Sequence, residues 1–347
     1  MRPGSRSLTL RLALLAGALV VVLIVAELLL RLLGSGAQDA DAWRIGGFHR
    51  PDSELIYSMK PNTSASWATG EFVEEVVTNS LGLRGDEIPA KPEGVRRILV
   101  LGDSMTFGHG VSADATYAKQ LEGLYREQGK AIEVVNAGVK GYGNDQSVKF
   151  FETRLRGLDP DLVILAYYKN DLDDSLYRPL YALEDDQLAE LDAARHPLYR
   201  YARIKQSLPA PLRELRLAQV ATESLAQIGA DEPEIPSDPE EQVKWASRKL
   251  ELQLARLEAL GAEDGFRVAL LGLPYTGNST DEYRWVRQTP RGGVALIDIS
   301  RDPNWRAPRA GLFFESDPHL TPAGHLRVAK KLHRAIERRP ERLLPDA

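Results

Sequence analysis

The sequence predicts an α/β fold in which a mainly parallel sheet is covered by helices on both faces, preceded by one membrane-spanning helix. Short apolar runs of strand length recur along the chain, and segments with helical periodicity separate them. Strands that alternate with helices are joined by right-handed crossovers, which produce a parallel sheet with helices on both sides. A long apolar stretch near the amino terminus predicts the membrane helix.

This apolar stretch runs from Leu12 to Ala26, 15 residues without a polar side chain. As a helix it would be about 22 Å long, short of the roughly 30 Å hydrocarbon core of a bilayer. The segment Leu28 to Leu33 makes up the difference. Glu27 and Arg31 lie four residues apart on one helix face with the acid first, which is the favourable order for mutual neutralisation.

Three arginines, at positions 2, 6 and 11, precede the apolar stretch. The positive-inside rule then places the amino terminus in the cytoplasm and the rest of the chain on the periplasmic or extracellular side. The alternative is a cleaved signal peptide, because Ser35-Gly36-Ala37 has the small-x-small pattern of a cleavage site. The apolar stretch continues past Glu27, which favours a retained single-pass anchor.

Charge and composition narrow the classes of partner. Residues 1–34 carry four arginines and one glutamate, so the remaining chain has a formal charge of −8, against −5 for all 347 residues. An acidic ectodomain argues against nucleic acid as a partner, because it cannot neutralise phosphates. The chain has no cysteine, which excludes disulfides and thiolate metal sites.

We expect three parts in the chain: the anchor at 1–34, a linker with a strand-and-loop apron at 35–92, and the α/β domain at 93–347. The linker, from Gly34 to Ala42, is small and polar. The apron contains a strand-like piece from Phe72 to Thr78 and glycine-punctuated turns. Two roles are open for the apron: it could serve merely as a cap on an exposed sheet edge, or it could bring Asn79 or Arg84 to the active-site crevice.

Within the α/β domain, strands and helices follow one another regularly on both sides of one long interruption. That interruption, about 175–245, is rich in helix-forming residues and shows no strand periodicity. We expect it to be a helical insertion, which could form a lid over the carboxyl ends of the strands. The predicted strands are 98–101, 133–136, 162–168, 268–273 and 295–299, and the predicted helices are 117–128, 145–155, 242–260 and 322–338.

Four loops that follow predicted strands or precede the last helix carry reactive or hydrogen-bonding groups. They have the sequences GDSMTFG at 102–108, NAGVKGYG at 136–143, KND at 169–171 and ESDPHLTPAG at 315–324. In open α/β sheets, ligands bind at the carboxyl ends of the strands, so we expect these loops to meet.

A serine hydroxyl needs a base within hydrogen-bond reach and donors for the oxyanion that develops during attack. Ser104 is the candidate nucleophile, His319 the base and Asp317 the acid that fixes the histidine tautomer. The candidate oxyanion donors are the backbone N–H groups of Ser104 and Gly141 and the side-chain amide of Asn170. Thr321, followed by Pro322, predicts a cap for the last helix.

The four loops resemble the blocks of the SGNH (GDSL-type) hydrolases. In that resemblance Ser104 of GDSM is the nucleophile, Gly141 and Asn170 belong to the oxyanion blocks, and His319 of DPHLTPAGH is the base. The resemblance covers about 98–171 and 312–335. It implies a flavodoxin-like three-layer α/β/α domain without a cofactor and acyl-ester chemistry, often the deacetylation of carbohydrates.

Two residues depart from the family pattern. Met105 stands where the Gly-Asp-Ser-Leu pattern that gives the family its name has leucine, which is a conservative apolar change. The usual last block is Asp-x-x-His, but Ser316 occupies that acid position and the acid is Asp317. The Asp-x-His spacing is similar to the alginate acetyltransferase-type branch, which transfers acetyl groups. Transfer therefore stays open beside hydrolysis.

Simpler interpretations exist for three of the site residues. Ser104 could cap the next helix, and Gly141 and Asn170 could be ordinary turn residues. We expect structural roles for two acids, Asp103 and Asp171, and no catalytic role for His109 or His325. The histidine spacing does not predict a metal site, and the glycine-containing loops match neither a P-loop nor a dinucleotide fingerprint.

The sequence thus predicts a membrane-anchored serine esterase that acts on acetyl or other acyl esters of a small molecule or glycan. An O-acyltransferase that modifies an envelope polysaccharide would use the same residues. The alternative outside the enzymes is a binding protein that keeps this fold without catalytic activity.

Overall fold

The structure is a computed structural model that describes residues 3–33, 48–230, 234–275, 283–289, 292–306 and 311–344. The predicted linker from Gly34 to Ala42 and the small-x-small sequence Ser35-Gly36-Ala37 lie outside the described residues.

A five-stranded parallel sheet forms the centre of the α/β domain. With the strands numbered along the whole chain, it consists of β5 (Arg96–Gly102), β6 (Ile132–Gly138), β7 (Leu162–Tyr167), β10 (Arg267–Gly272) and β11 (Ala295–Asp298). These strands lie in the spatial order β6-β5-β7-β10-β11, and every neighbouring pair is parallel. This is the flavodoxin-like order 2-1-3-4-5, so the predicted α/β fold with a mainly parallel sheet is confirmed.

Strand order explains why helices cover both faces. The chain moves from β5 to β6 in one direction and from β6 across to β7 in the other, so right-handed crossovers place the two intervening helices on opposite faces. The described helices are α1 (Pro3–Leu32), α2 (Ser104–Phe107), α3 (Tyr117–Glu127), α4 (Asn144–Phe150), α5 (Asp171–Tyr177), α6 (Pro197–Ser207), α7 (Ala210–Arg213), α8 (Arg216–Gln227), α9 (Pro239–Asp264), α10 (Arg284–Gln288), α11 (Pro322–Glu337) and α12 (Pro340–Leu343).

The central strands are apolar on both faces because helices cover both. All residues from Ile98 to Leu101 in β5 and from Leu162 to Leu165 in β7 are fully buried. This continuous burial is the reason that these strands appear in the sequence as unbroken apolar runs.

The apron folds into two hairpins of its own. One pairs β1 (His49–Asp52) with β2 (Ile56–Met59), and the other pairs β3 (Ser64–Ala68) with β4 (Val73–Val77). Neither hairpin joins the five-stranded sheet. The side chain of Arg84 from this segment is buried beneath the loop after β5, where it donates to the carbonyl groups of Phe107 and Gly108, so it does not line the crevice.

The insertion corrects one expectation from the sequence. It is mostly helical, but it contains an antiparallel hairpin of β8 (Tyr181–Glu184) and β9 (Gln187–Glu190), although no strand was predicted there. Asp185 and Asp186 both have positive φ, at 49° and 62°. Tight hairpin turns need this conformation, which usually calls for asparagine or glycine, so an Asp-Asp turn gave little sequence signal.

The apolar amino-terminal helix α1 contacts the insertion near its carboxyl end. Glu27 and Arg31 form the predicted ion pair, with 2.6 Å between Oε1 and Nε. The Glu27 carboxylate also accepts the N–H groups of Arg216 and Leu217, at 3.1 and 3.0 Å, which are the first two amides of α8. An acid at the amino terminus of a helix satisfies amides that lack partners within the helix. Glu27 therefore joins α1 to the insertion.

Residues Leu8–Leu32 of α1 are long and apolar enough to cross a membrane, with a mean hydropathy of 2.8, and none of this segment is buried in the protein. Length and composition alone support this assignment, and a signal sequence would have the same properties.

Candidate active site

The nucleophile loop begins where β5 ends. Gly102 has a φ of +154°, and a Cβ atom there would lie 2.3 Å from Oγ1 of Thr106, so this turn requires glycine. Asp103, whose Oδ1 accepts the N–H of Met105 at 2.9 Å, caps the one-turn helix α2. Ser104 is the first residue of that helix and is half-buried. The capping role belongs to Asp103, which leaves the Ser104 hydroxyl available for other contacts.

Three of the predicted site residues form a chain of hydrogen bonds. Oγ of Ser104 lies 2.7 Å from Nε2 of His319, and Nδ1 of His319 lies 2.5 Å from Oδ1 of Asp317. Ser104 and His319 are separated by 215 positions in the sequence, yet their contact is within hydrogen-bond range, as is the local contact between His319 and Asp317. This is the arrangement in which a carboxylate orients an imidazole that can take the serine proton.

The loop that carries His319 and Asp317 is fixed at both ends. Its amino-terminal side bridges to its carboxyl-terminal side through Phe313 and Leu320. Thr321 caps α11 by accepting the N–H of Gly324, with Pro322 at the first helical position, as the sequence predicts. The loop therefore has little freedom to withdraw His319 from Ser104.

Burial and hydrogen bonding act in opposite directions on Asp317. Burial by itself would raise the pKa of this carboxyl group, but its hydrogen bonds with His319 and the charge of that ring lower the pKa to about 2. Asp317 is therefore an anion throughout the neutral range, as a tautomer-fixing acid must be.

The two candidate oxyanion residues lie on the loops after β6 and β7. Gly141 is buried and has a φ of +77°, a conformation that glycine adopts without strain. Nδ2 of Asn170 donates to Oδ2 of Asp174 at 2.9 Å, and Asp174 is paired with Arg178. An amide nitrogen has two hydrogens, and the amide of Asn170 also acts on the carboxyl group of Asp103. The structure links Asn170 to Asp174, a contact that the sequence did not predict.

Three carboxyl groups are buried next to these loops. Burial raises the pKa of Asp103, although its hydrogen bond from the Met105 amide, the charge of His319 and the amide of Asn170 oppose this. Burial and the charge of Asp103 raise the pKa of Asp171 well above its usual value. Burial also raises the pKa of Asp174, to about 6, against the effect of Arg178. As expected, Asp171 has a structural contact: it accepts the N–H of Tyr168 at 2.6 Å.

Sequence reasoning missed a cluster of charged side chains beside the site. Glu74 of β4 is completely buried and contacts Arg84, His109 and Lys140. The burial pattern of β4 alternates, with Glu74 on the inward face beside Val76. An acid at an inward position of an amphipathic strand was the signal that could have revealed it.

The other two histidines of interest have different environments. His325 is in the core, where its Nδ1 accepts the N–H of Tyr117 at 3.1 Å, and burial lowers its pKa to about 3.

His109 lies against the site, with its ring centroid 4.6 Å from that of His319. Within the described residues, His109, Asp317 and His319 offer ligand atoms within 4.8 Å of one another. A metal ion bound there would compete with the contacts among Ser104, His319 and Asp317.

Comparison with known families decides the assignment. The family model of GDSL-like lipases and acylhydrolases matches residues 98–332, which is more than half of the chain and includes Ser104, Gly141, Asn170, Asp317 and His319. The chain belongs to the GDSL-like lipase/acylhydrolase family. Membership in this GDSL-like family makes the protein an ester-hydrolysing enzyme.

Solved structures similar to this GDSL-like enzyme share little sequence with it. A mutant of Axe2, an acetyl-xylooligosaccharide esterase from Geobacillus Stearmophilus, is 15% identical over 72% of this chain and 96% of its own, with a TM-score of 0.43. The lipase/acylhydrolase from Enterococcus faecalis is 14% identical over 73% of this chain and 100% of its own, with a TM-score of 0.41. The psychrotrophic esterase EstA from Pseudoalteromonas sp. is 13% identical over 70% and 97%, with a TM-score of 0.40. Among curated proteins, no sequence matches significantly.

Proposed function

We propose that this GDSL-like protein is a membrane-anchored serine esterase that hydrolyses acetyl or other acyl esters of carbohydrates. The observation that carries the proposal is the continuous contact from Ser104 through His319 to Asp317, at 2.7 and 2.5 Å. It supplies a nucleophile, a base and an orienting anion in one line.

In the proposed reaction, Nε2 of His319 takes the proton of the Ser104 hydroxyl while Oγ attacks the carbonyl carbon of the ester. The tetrahedral intermediate collapses, and the leaving alcohol receives that proton from His319. Water, deprotonated by His319, then attacks the carbonyl carbon of the acyl-enzyme. The bond from that carbon to Oγ breaks, His319 returns the proton to Oγ of Ser104, and the carboxylic acid product is released. Asp317 stays ionised throughout and stabilises the imidazolium form of His319.

The developing oxyanion needs donors that point to where its charge appears. We assign this role to the backbone N–H groups of Ser104 and Gly141 and to the side-chain amide of Asn170. Each of these donors is typically worth about 3 to 4 kcal/mol of transition-state stabilisation. The contact between Asn170 and Asp174 supports the assignment, because it holds one amide hydrogen and so fixes the direction of the other.

Acyl transfer to a glycan hydroxyl is the second candidate, and the spacing of Asp317 and His319 favours it. The acid lies two residues before the histidine, as in the acetyltransferase-type branch that the last block resembles. A sugar hydroxyl would then replace water in the second step. Product analysis separates the two reactions: hydrolysis releases acetate with or without a glycan acceptor, and transfer produces an acetylated glycan at the expense of acetate.

We place the catalytic domain on the extracytoplasmic side of a membrane, with Leu8–Leu32 as the anchor. The length and hydropathy of this segment and the arginines before it support the proposal. Intact-mass measurement of the purified protein tests retention of the anchor. A mass that corresponds to cleavage after Ala37 would overturn it.

The esterase proposal is tested with the full-length protein in detergent micelles and p-nitrophenyl acetate as the substrate. Ser104→Ala should lower kcat by at least about 1,000-fold, because no other group replaces the nucleophile. Ser112→Ala, which changes an exposed serine of the same segment, is the matched control and should keep the parent rate. A fluorophosphonate should add its mass to the parent and not to Ser104→Ala. Equal rates for Ser104→Ala and the parent would refute the assignment of the nucleophile.

A further inference from the structure

A single buried carboxylate in the apron contacts the groups that hold the active-site loops. The side chain of Glu74 is inaccessible to solvent. Its Oε1 lies 3.4 Å from Nη1 of Arg84, and its Oε2 lies 2.9 Å from Nδ1 of His109 and 2.6 Å from Nζ of Lys140. An ionised carboxylate at such a position is stable only when it is paired and hydrogen-bonded, and Glu74 has three such partners.

Two of these partners act on the nucleophile and oxyanion loops. Arg84 donates from Nη1 to the carbonyl oxygens of Phe107 and Gly108, at 3.1 and 2.7 Å. These two hydrogen bonds stabilise the turn that ends helix α2, which carries the nucleophile. Lys140 directly precedes Gly141 in the loop after β6. Its Nζ bonds to Glu74, and its carbonyl oxygen lies 3.5 Å from the hydroxyl of Tyr57. Glu74 therefore connects the loops that carry Ser104 and Gly141.

The third partner reaches the acid and base. The ring of His109 packs edge to face against both Phe72 and His319, with centroid distances of 5.1 and 4.6 Å. Its Nδ1 is bound to Glu74, which fixes the ring so that Nε2 faces Oδ2 of Asp317 at 3.8 Å. The other oxygen of Asp317 is the one that holds His319. Each ring nitrogen of His109 thus faces one carboxylate.

We propose that Glu74 and His109 are positioning residues of the active site, which extend the triad to a Glu74–His109–Asp317–His319–Ser104 series of contacts, in which His109 approaches Asp317 to 3.8 Å without a hydrogen bond. Glu74 acts through His109 on the carboxylate of Asp317, and through Arg84 and Lys140 on the loops of Ser104 and Gly141. The apron is then a component of the catalytic site. This inference rests on the proposed esterase function, because it concerns the same nucleophile and base.

The charges around the site agree with this role. Burial by itself would raise the pKa of Glu74, but the hydrogen bond of His109 and the charge of Lys140 outweigh it and lower the pKa. With Glu74 ionised, the charges of Glu74 and Asp317 offset those of Arg84 and Lys140. If Glu74 is made neutral, Arg84 and Lys140 lose the nearer of these two anions. Their positive charges then oppose the formation of an imidazolium at His319. The ring of His319 also lies near Asp103 and His109.

The test compares Glu74→Gln with Glu75→Gln in the full-length protein in micelles, with p-nitrophenyl acetate as the substrate. Glu75 is the next residue of β4, and its side chain is exposed, so the control makes the same charge change on the opposite face. Glu74→Gln should lower kcat by about 10- to 100-fold with little change in KM. It should also move the acid limb of the kcat/KM profile to lower pH by about half a unit. Glu75→Gln should change neither.

A second variant keeps the inference testable if Glu74→Gln does not fold, as judged by circular dichroism and thermal unfolding. His109→Gln removes the ring from a half-buried site and should lower kcat by about 10-fold while the protein stays folded. Parental kcat and an unshifted acid limb in a folded Glu74→Gln protein, or in His109→Gln where the first variant fails, would overturn the inference. The esterase function is judged separately. It fails if Ser104→Ala is as active as the parent. If Ser104→Ala is inactive but the Glu74 and His109 variants have the parental rate, the esterase function stands and only the present inference fails.

Discussion

The Oδ1 atom of Asp317 accepts two hydrogen bonds from the same residue, one from the backbone N–H of His319 at 2.9 Å and one from its Nδ1 at 2.5 Å. Because the acid lies only two residues before the histidine, one oxygen closes a tight turn in the loop and also orients the ring. The Asp-x-His spacing thus combines a local structural bond with the bond that fixes the tautomer.

The first prediction concerns the identity of the acid. Asp317→Ala should lower kcat for p-nitrophenyl acetate by about 1,000- to 10,000-fold, because His319 loses the anion that fixes its tautomer and stabilises its charged form. Glu315→Ala, an exposed acid of the same loop, should leave kcat unchanged. Equal and small effects of the two substitutions would show that Asp317 is not the acid.

The second prediction concerns the dependence of stability on pH. The pKa of Asp317 is lowered to about 2 in the folded protein from its ordinary value of 3.8. A lowered acid pKa stabilises the folded state above pH 4, and this contribution is lost as the pH falls through 2. After allowance for partial exposure to solvent, the parent should lose about 1 kcal/mol more than Asp317→Asn between pH 7 and pH 2.5. Urea unfolding at both pH values measures this, and an equal loss in the two proteins contradicts it.

The third prediction concerns the orientation of the Asn170 amide. Asp174→Ala removes the acceptor that holds one amide hydrogen, so the side chain can rotate and its contribution to the oxyanion site falls. We expect kcat to drop by about 10- to 100-fold, with a smaller change in KM. Asp173→Ala changes an exposed neighbour in the same helix and is the matched control. If Asp174→Ala lowers kcat no more than Asp173→Ala does, Asp174 does not position the amide.

The fourth prediction concerns the contact between the anchor and the insertion. Glu27→Ala leaves the amides of Arg216 and Leu217 without their acceptor, so the first turn of α8 should open more often. Loss of such a cap typically costs about 1 kcal/mol, which corresponds to roughly fivefold faster amide exchange. Hydrogen exchange of a peptide spanning 215–220, measured in micelles, tests this, with Arg11→Ala at the other end of α1 as the control. Unchanged exchange in Glu27→Ala would show that the contact does not stabilise α8.

Much of the fold was predictable because its signals are local. The apolar runs from Ile98 and from Leu162 predicted central strands, since both faces of those strands are covered. Thr321 and Pro322 predicted the start of α11, because a cap is a contact between residues close in sequence. The β8–β9 hairpin was missed for the converse reason: Asp185 and Asp186 adopt a turn that their residue types rarely reveal.

The sequence by itself determined which groups could react: Ser104, Asp317 and His319, on loops that a parallel sheet brings to one edge. It also placed Gly141 and Asn170 on the neighbouring loops. Only the tertiary structure decided what surrounds them. Glu74 shares no sequence neighbourhood with His109 or Lys140, and the attraction between buried charges depends on distances that chain packing sets. Reactive groups can be recognised from residue type and spacing, and a local pattern could mark Glu74 as buried, but the partners of such a residue are set by long-range contacts that no local pattern encodes.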